Sequence, residues 1–277
     1  MSMDLYALMG NPVEHSKSPW IHARFAELTG QRLYYGKRLV ALDGFAEAVQ
    51  AFIAEGGRGC NITVPFKFEA AALASQTSER AQLAQACNVL TFQDGAVLAD
   101  NTDGAGLVND IQRNAGVDLS GRRVLLIGAG GAAAGVLGPL LQAAPAHLTV
   151  ANRTRDKASA LVARHAAPAL LQKTELLAQD LQGLAGDFDI IINATASSLS
   201  GSAIPVAASV LKPGALAYDM MYGPAAQGFM RWAREHGATP RDGLGMLVEQ
   251  AAEAFLIWRG VLPPAQQVLA ELRAVMD

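Results

Sequence analysis

Cysteine is nearly absent. Cys60 and Cys87 are the two among 277 residues, far apart, with no C-x-x-C pair and no histidine at metal spacing. That pattern excludes a disulfide framework and a zinc module. It predicts two free, buried thiols in a reducing cytoplasm. The five histidines are scattered and form neither a metal cluster nor a triad. No G-x-S-x-G nucleophile elbow occurs. Aromatics make up only 6% of the chain, against a high aliphatic content. An excess of basic residues is missing too: the net charge of −3 gives no reason to expect nucleic acid or an anionic membrane as partner. The N-terminus reaches Asp4 without a basic segment followed by an apolar one, so no signal peptide is expected. Between Val124 and Asn152 there is no Asp, Glu, Lys or Arg, a run long enough to mimic a membrane span. Glycines, Pro139, Pro145 and His147 interrupt it, and its lack of charge has a better explanation.

That explanation is the stretch the chain is organised around. Val124-Leu125-Leu126-Ile127 reads as a buried strand, followed at once by Gly128-Ala129-Gly130-Gly131-Ala132-Ala133 and an Ala/Leu-rich helical pattern. This is G-x-G-x-x-A at a strand-to-helix turn. Gly128 permits the tight turn, Gly130 lets backbone approach a pyrophosphate, and Ala133 allows close helix–strand packing. The helix N-terminus offers N–H groups and a positive dipole end to phosphates. A second apolar run, Leu148 to Ala151, arrives where the βαβ unit should close. At its end, where an acidic residue would bind the ribose 2′-OH of NAD, stand Asn152 and Arg153. A guanidinium there suits the 2′-phosphate of NADP, and a solvated arginine in a first helical turn is the competing reading.

The length suggests two domains. Before the glycine-rich turn, Tyr6 to Met9 reads as a strand and Ser18 as the cap of a helix starting at Pro19 and stopping at Gly30. Arg38 to Ala41 reads as a strand, followed by a helix capped by Asp43 and bearing Phe45, Val49 and Phe52. Gly59 to Val64 is a strand broken at Pro65, with a helix after it. Asp94-Gly95 signals a two-residue hairpin between Asn88–Phe92 and Ala96–Ala99. A helix bearing Leu107 and Ile111 follows Asp103 and closes at Gly116. Beyond Ala151, a helix runs from the Asn152-Arg153-Thr154 turn to His165. Phe188 to Ile192 is a buried strand ending in the polar loop Asn193-Ala194-Thr195-Ala196-Ser197. Ala215 to Asp219 is another strand, and helices cover Ala225–Glu235, Gly245–Trp258 and the segment after Pro263-Pro264. Alternating strands and helices in both halves predict mostly parallel sheets covered on both faces.

Lys67 follows the strand–proline–helix junction, where side chains point toward a strand's carboxyl end, although an isolated lysine is as often a solvated one. Asp103 reads equally as an N-cap or a catalytic carboxylate. Ser16 and Ser18 read as loop and cap residues or as hydroxyl donors.

Several motifs together go further. They are Gly10-Asn11-Pro12 with His15-Ser16-Lys17-Ser18-Pro19, Asn61-Ile62-Thr63-Val64-Pro65-Phe66-Lys67, and Asp100-Asn101-Thr102-Asp103-Gly104. The second half adds Gly128-Ala129-Gly130-Gly131-Ala132, Asn152-Arg153-Thr154, Ile192-Asn193-Ala194-Thr195 and the run from Asp242 to Gln250. In this order the set resembles the shikimate dehydrogenase family over essentially the whole chain. The resemblance implies an α/β protein in which an NADP-binding Rossmann domain, 104–243, is inserted in an α/β/α substrate domain, 1–103 and 244–277, with a cleft between them. It implies NADP-dependent interconversion of 3-dehydroshikimate and shikimate in aromatic amino-acid biosynthesis, by a monomer or homodimer without a metal. Lys67 and Asp103 would be the catalytic pair. Ser16 and Ser18 would hold the substrate carboxylate; Thr63, Asn88, Asp103 and Gln250 the ring hydroxyls, with Tyr222 near the substrate. Gly128, Ala129, Gly130, Gly131, Ala132, Asn152, Arg153, Thr154, Lys157, Thr195, Met220, Gly243 and Met246 would serve the cofactor. The chain departs from the family pattern in Val89 beside Asn88, in Ala132-Ala133-Ala134 and in Lys157. A paralogue acting on quinate or a similar polyol acid, or a catalytically silent metabolite-binding homologue, would share most of these motifs.

Overall fold

The structure, a computed structural model, describes residues 3–195 and 206–276. The loop positions Ala196 and Ser197 lie outside the described residues. In chain order the elements are β1 (Asp4–Gly10), α1 (Ser18–Thr29), β2 (Leu33–Leu39), α2 (Phe45–Ala54), β3 (Gly57–Ile62), α3 (Lys67–Leu73), β4 (Gln76–Thr77), α4 (Glu79–Ala84), β5 (Val89–Gln93), β6 (Ala96–Asp100) and α5 (Asp103–Asn109). A π-helical turn, Asp110–Asn114, continues α5. Then come β7 (Arg123–Ile127), α6 (Gly131–Gln142), β8 (His147–Asn152), α7 (Arg155–Arg164), α8 (Ala166–Leu171), β9 (Glu175–Asp180), β10 (Phe188–Asn193), β11 (Leu211–Asp219), α9 (Gln227–Glu235), β12 (Thr239–Arg241), α10 (Leu244–Arg259) and α11 (Ala265–Met276). Two compact units result, Met1–Gly106 with Leu247–Asp277, and Leu107–Met246.

The first unit is built on the sheet β2-β1-β3-β5-β6-β4. Strands β2, β1 and β3 are parallel, and the β5–β6 hairpin runs antiparallel to β3, so the sheet is mixed. Alternation along β1 sends Ala7 and Met9 to one face, into a core with Phe45, Val49, Phe52, Cys60 and Phe66. Tyr6 and Leu8 go to the other face, with Val13, Tyr35 and Trp258 of α10. Asp94 and Gly95 both take positive φ, 52° and 79°, as a primed two-residue hairpin turn requires.

Several local expectations shift. Ser18 caps nothing: it is the first residue of α1, and the Ser16 hydroxyl accepts its N–H at 3.2 Å. Asp43 does not cap α2, whose N-cap is Gly44. The second strand begins at Leu33, five residues before Arg38, because β2 pairs with β1 along its whole length. It lies at the sheet edge, and its Lys37 and Arg38 hide the apolar alternation. Short elements such as β4, α4, α8, β9 and β12 carry too little pattern to be read from sequence.

The second unit is wholly parallel, in the order β12-β11-β10-β7-β8-β9. From the other edge the strands run third, second, first, fourth, fifth and sixth in chain order, the doubly wound arrangement. Strand β7 is central, with Val124 to Ile127 all at 0% exposure. The order reverses between β7 and β10, so the turn at Gly128 sits where such folds bind ligands.

Candidate active site

Lys67 opens α3 just beyond the proline that stops the preceding extended segment. Phe66 anchors this junction, buried and stacked on Phe45 with ring centroids 4.9 Å apart. The Lys67 ammonium is paired with Asp103 Oδ2, and the two side chains are 14% and 7% exposed. The solvated reading of Lys67 therefore fails. Asp103 does not cap its helix either. Asn101 accepts the Asp103 N–H at 3.1 Å and anchors itself by donating to the Ala86 carbonyl at 2.9 Å. The cap is thus supplied from two residues upstream, which leaves the Asp103 carboxylate for other partners. Its Oδ1 accepts from Asn88 Nδ2 at 2.9 Å. The same amide reaches Thr102 Oγ1 at 3.0 Å and Gln250 Oε1 at 3.2 Å. Asn88 Oδ1 takes the Thr102 N–H at 2.8 Å, which fixes the amide orientation. Lys67, Asn88, Asp103 and Gln250 thereby meet in one unit from distant points of the chain. An ammonium against a carboxylate, bordered by amides, can exchange a proton with a ligand hydroxyl and orient further hydroxyls.

Ser16 and Ser18 face each other, with Ser16 Oγ donating to Ser18 Oγ at 3.1 Å. Ser18 is 4% exposed. Thr63 is half-buried, its methyl close against Gly10. The thiol of Cys87, beside Asn88, is pushed up to about 12 by burial. Cys60 is also free and buried, its thiol raised by burial.

The second unit offers backbone where the first offers side chains. Gly128 adopts φ +115°, and a Cβ there would meet the Ala194 carbonyl and the Thr195 methyl at 3.2 Å. Gly130, the N-cap of α6, is exposed, and among the described residues beyond its chain neighbours nothing lies within 4 Å of the place its Cβ would take. The first N–H groups of a helix lack partners within it. An anionic pyrophosphate therefore fits over Gly130, Gly131 and Ala132, with Ala129 half-buried beside them. At the end of β8, Asn152 donates to the Thr154 carbonyl at 2.9 Å. Arg153, Thr154 and Lys157 are exposed, which leaves two cations and a hydroxyl available to a 2′-phosphate. Thr195 donates to Asn193 Oδ1 at 2.7 Å. Met220 and Tyr222 are half-buried, Met246 is buried, and Gly243 lies so close to the Met220 backbone that a side chain has no room.

Family models match three stretches: a shikimate dehydrogenase substrate binding domain over residues 8–90, a shikimate / quinate 5-dehydrogenase over 110–201, and a shikimate 5′-dehydrogenase C-terminal domain over 243–273. A shikimate dehydrogenase (NADP(+)) from Acidovorax sp. strain JS42 is 70% identical over 99% of this chain and 97% of its own. The chain belongs to the shikimate dehydrogenase family. Among solved structures, the Thermus thermophilus shikimate 5-dehydrogenase, in complex with NADP(H) and shikimate, matches with a TM-score of 0.85 and 29% identity over 98% of this chain and 99% of that one. A ligand-free 5-ketofructose reductase of Gluconobacter sp. strain CHM43 matches with a TM-score of 0.82 and 27% identity, over 99% of each chain. The α/β architecture expected from sequence is that of these structures. Among the described residues no helix is long and apolar enough to cross a membrane.

Asn61, Asn101 and Thr102 stand within the family-like motifs, and nothing in the sequence alone marks a role for Asn61 or Thr102. Asn101 carried a signal, since an Asn two residues before a helical turn is itself a cap candidate. Tyr35, which donates to Asn61 Oδ1 at 2.7 Å, carried none.

Proposed function

We propose that this member of the shikimate dehydrogenase family catalyses the NADP-dependent, reversible reduction of 3-dehydroshikimate to shikimate, with Lys67 and Asp103 as the catalytic pair. The observation that carries the pair is the capping by Asn101. It frees the Asp103 carboxylate to hold the Lys67 ammonium, with Asn88 fixing the second oxygen. When bound, the nicotinamide supplies or accepts the hydride. In the reducing direction Lys67 Nζ gives a proton to the substrate oxygen, and in the oxidising direction it takes one. Asp103 holds the ammonium in place and, with Thr63, Asn88 and Gln250, orients the ring hydroxyls, with Tyr222 beside the substrate. Ser16 and Ser18 donate to the carboxylate.

The second unit is assigned as the NADP domain and the first as the substrate domain. Gly128, Ala129, Gly130, Gly131 and Ala132 carry the pyrophosphate. Asn152, Arg153, Thr154 and Lys157 meet the 2′-phosphate, and Thr195, Met220, Gly243 and Met246 line the nicotinamide side. Two buried free thiols suit a cytoplasmic protein. The test is the formation of NADPH absorbance by purified protein with shikimate and NADP, with quinate and NAD as comparators. A clear preference for the first pair is expected, and no turnover of shikimate would sink the proposal.

A further inference from the structure

The carboxyl ends of β10 and β11 carry a buried polar pair to which the mechanism gives no part. Asn193 and Asp219 stand opposite each other in the strand register, at 1% and 0% exposure. Asn193 Nδ2 donates to Asp219 Oδ2 at 3.4 Å, and Asp219 Oδ1 takes the Met221 N–H at 2.9 Å. On its other side Asn193 Oδ1 accepts twice from Thr195, from the hydroxyl at 2.7 Å and from the backbone N–H at 3.2 Å. The Met221 carbonyl takes the Gly243 N–H at 2.8 Å. Thr195 on one strand end and the Met220-Met221 backbone on the next are thus tied to the same pair.

The pair also sets a direction. A carboxylate accepts hydrogen bonds and donates none, so the Asn193 amide turns its NH2 to Asp219 and its oxygen to Thr195. A threonine hydroxyl has a single proton. With that proton committed to Asn193, Thr195 meets a ligand as an acceptor. The Thr195 methyl borders the turn assigned to the pyrophosphate, since a Cβ on Gly128 would meet it at 3.2 Å. A phosphate oxygen, itself only an acceptor, nevertheless gains nothing from such a hydroxyl. An N–H or O–H gains a hydrogen bond.

We propose that Asn193 and Asp219 are positioning residues for the cofactor: they commit the Thr195 proton inward, so that Thr195 receives a hydrogen bond from the nicotinamide riboside, through its carboxamide N–H or a ribose hydroxyl. This inference rests on the assignment of Thr195 to the nicotinamide side of an NADP site.

The test is calorimetric titration of the whole protein with three ligands. They are NADP, 2′-phospho-ADP-ribose, which lacks the nicotinamide ring, and 2′-phosphoadenosine 5′-diphosphate, which keeps the pyrophosphate and lacks the second ribose as well. Thr195→Val removes the hydroxyl and keeps the shape. It is expected to raise the Kd of NADP about tenfold, or about 1.4 kcal/mol, and to leave that of the diphosphate within about twofold. Toward 2′-phospho-ADP-ribose the loss persists if a ribose hydroxyl is the donor and vanishes if the carboxamide is, and both results support the proposal. Asp219→Asn keeps an oxygen on the Met221 N–H by turning its NH2 to Asn193. That forces the Asn193 amide over and frees the Thr195 proton. The same selective loss is expected, and the double variant should bind NADP as Thr195→Val does. If Asp219→Asn gives no cooperative melt, Asn193→Ser, which withdraws the amide oxygen from Thr195, reads the same loss. An unchanged NADP Kd in Thr195→Val overturns the inference. So does an equal loss for the diphosphate, which puts the hydroxyl on phosphate or the pair in the fold alone. A wild type that binds no NADP removes the functional reading and this inference with it, whereas a wild type that binds NADP alongside indifferent variants removes the inference alone.

Discussion

Two buried carboxylates, Asp103 and Asp110, stand seven residues apart along one stretch of chain, and their surroundings are opposite in kind. Asp110, at 0% exposure, is saturated. Arg241 grips it with two bonds of 2.8 and 2.6 Å, Tyr218 donates at 2.7 Å and Asn114 at 3.0 Å. Gly245 packs so tightly on it that a Cβ would overlap its oxygens. Asp103 has one ammonium and one amide, and its lysine is still partly open to solvent. A carboxylate whose lone pairs are all taken by its own protein can only hold structure. One that keeps acceptor capacity next to a mobile proton can do chemistry. Burial alone would rank Asp110 as the more conspicuous site; counting what each group has left to offer reverses the ranking.

The sharpest way to break this contrast is to remove the cation from each pair. Lys67→Ala should lower kcat by about 10²–10⁴-fold, with KM for NADP and resistance to urea close to wild type. Near-normal turnover would end the catalytic assignment. Arg241→Leu should do the reverse. It strands a fully enclosed carboxylate, so denaturant titration should read a loss of about 3–5 kcal/mol, while kcat per folded molecule changes little. If Arg241→Leu were as stable as wild type, the Asp110 cluster would have no structural role.

Arg153 extends the comparison to an exposed charge waiting for its partner. Replacing it by Ala should weaken NADP binding by about 1.5–3 kcal/mol, the scale of hydrogen bonds to charged groups. NAD, which has no 2′-phosphate, should bind as before. Equal losses for both cofactors would mean that Arg153 supports the fold instead. The smallest effect belongs to Asp100, at the end of β6. Burial raises its carboxyl, but the bonds from Arg80 and Ser78 outweigh that and hold it below the ordinary range. A carboxylate with a depressed folded pKa adds stability above its unfolded value of about 3.9, and that stability is lost as pH falls through the folded value. Asp100→Asn should therefore flatten the acid limb of the stability profile and leave kcat alone, as followed by thermal melts between neutral and acid pH.

The two units differ in how far their chains announce them. The nucleotide-type unit is legible because its signal is local. Val124 to Ala133 carries strand, turn and helix start in consecutive residues, and the conformation of Gly128 follows from the identity of one residue. The substrate-type unit hides its site because the partners are distant. Lys67 meets Asp103 across 36 residues, and Asn88 meets Gln250 across 162. No spacing rule links such positions, and only the whole-chain resemblance brought them together. The Asp103 cap reading failed for a related reason. Asn101 and Asp103 are both good caps, and their competition is settled by the Ala86 carbonyl, which holds the Asn101 amide from another segment.

The burial of both thiols has a practical consequence. Cys60 and Cys87 are each 0% exposed, and both are held in the protonated, unreactive form. The native chain thus presents a surface silent to maleimides. A cysteine introduced at an outward position, for instance in place of Leu171 at 81% exposure on α8, would be the single reactive group under native conditions. The protein can therefore carry one dye or spin label at a chosen point without first being stripped of its own cysteines.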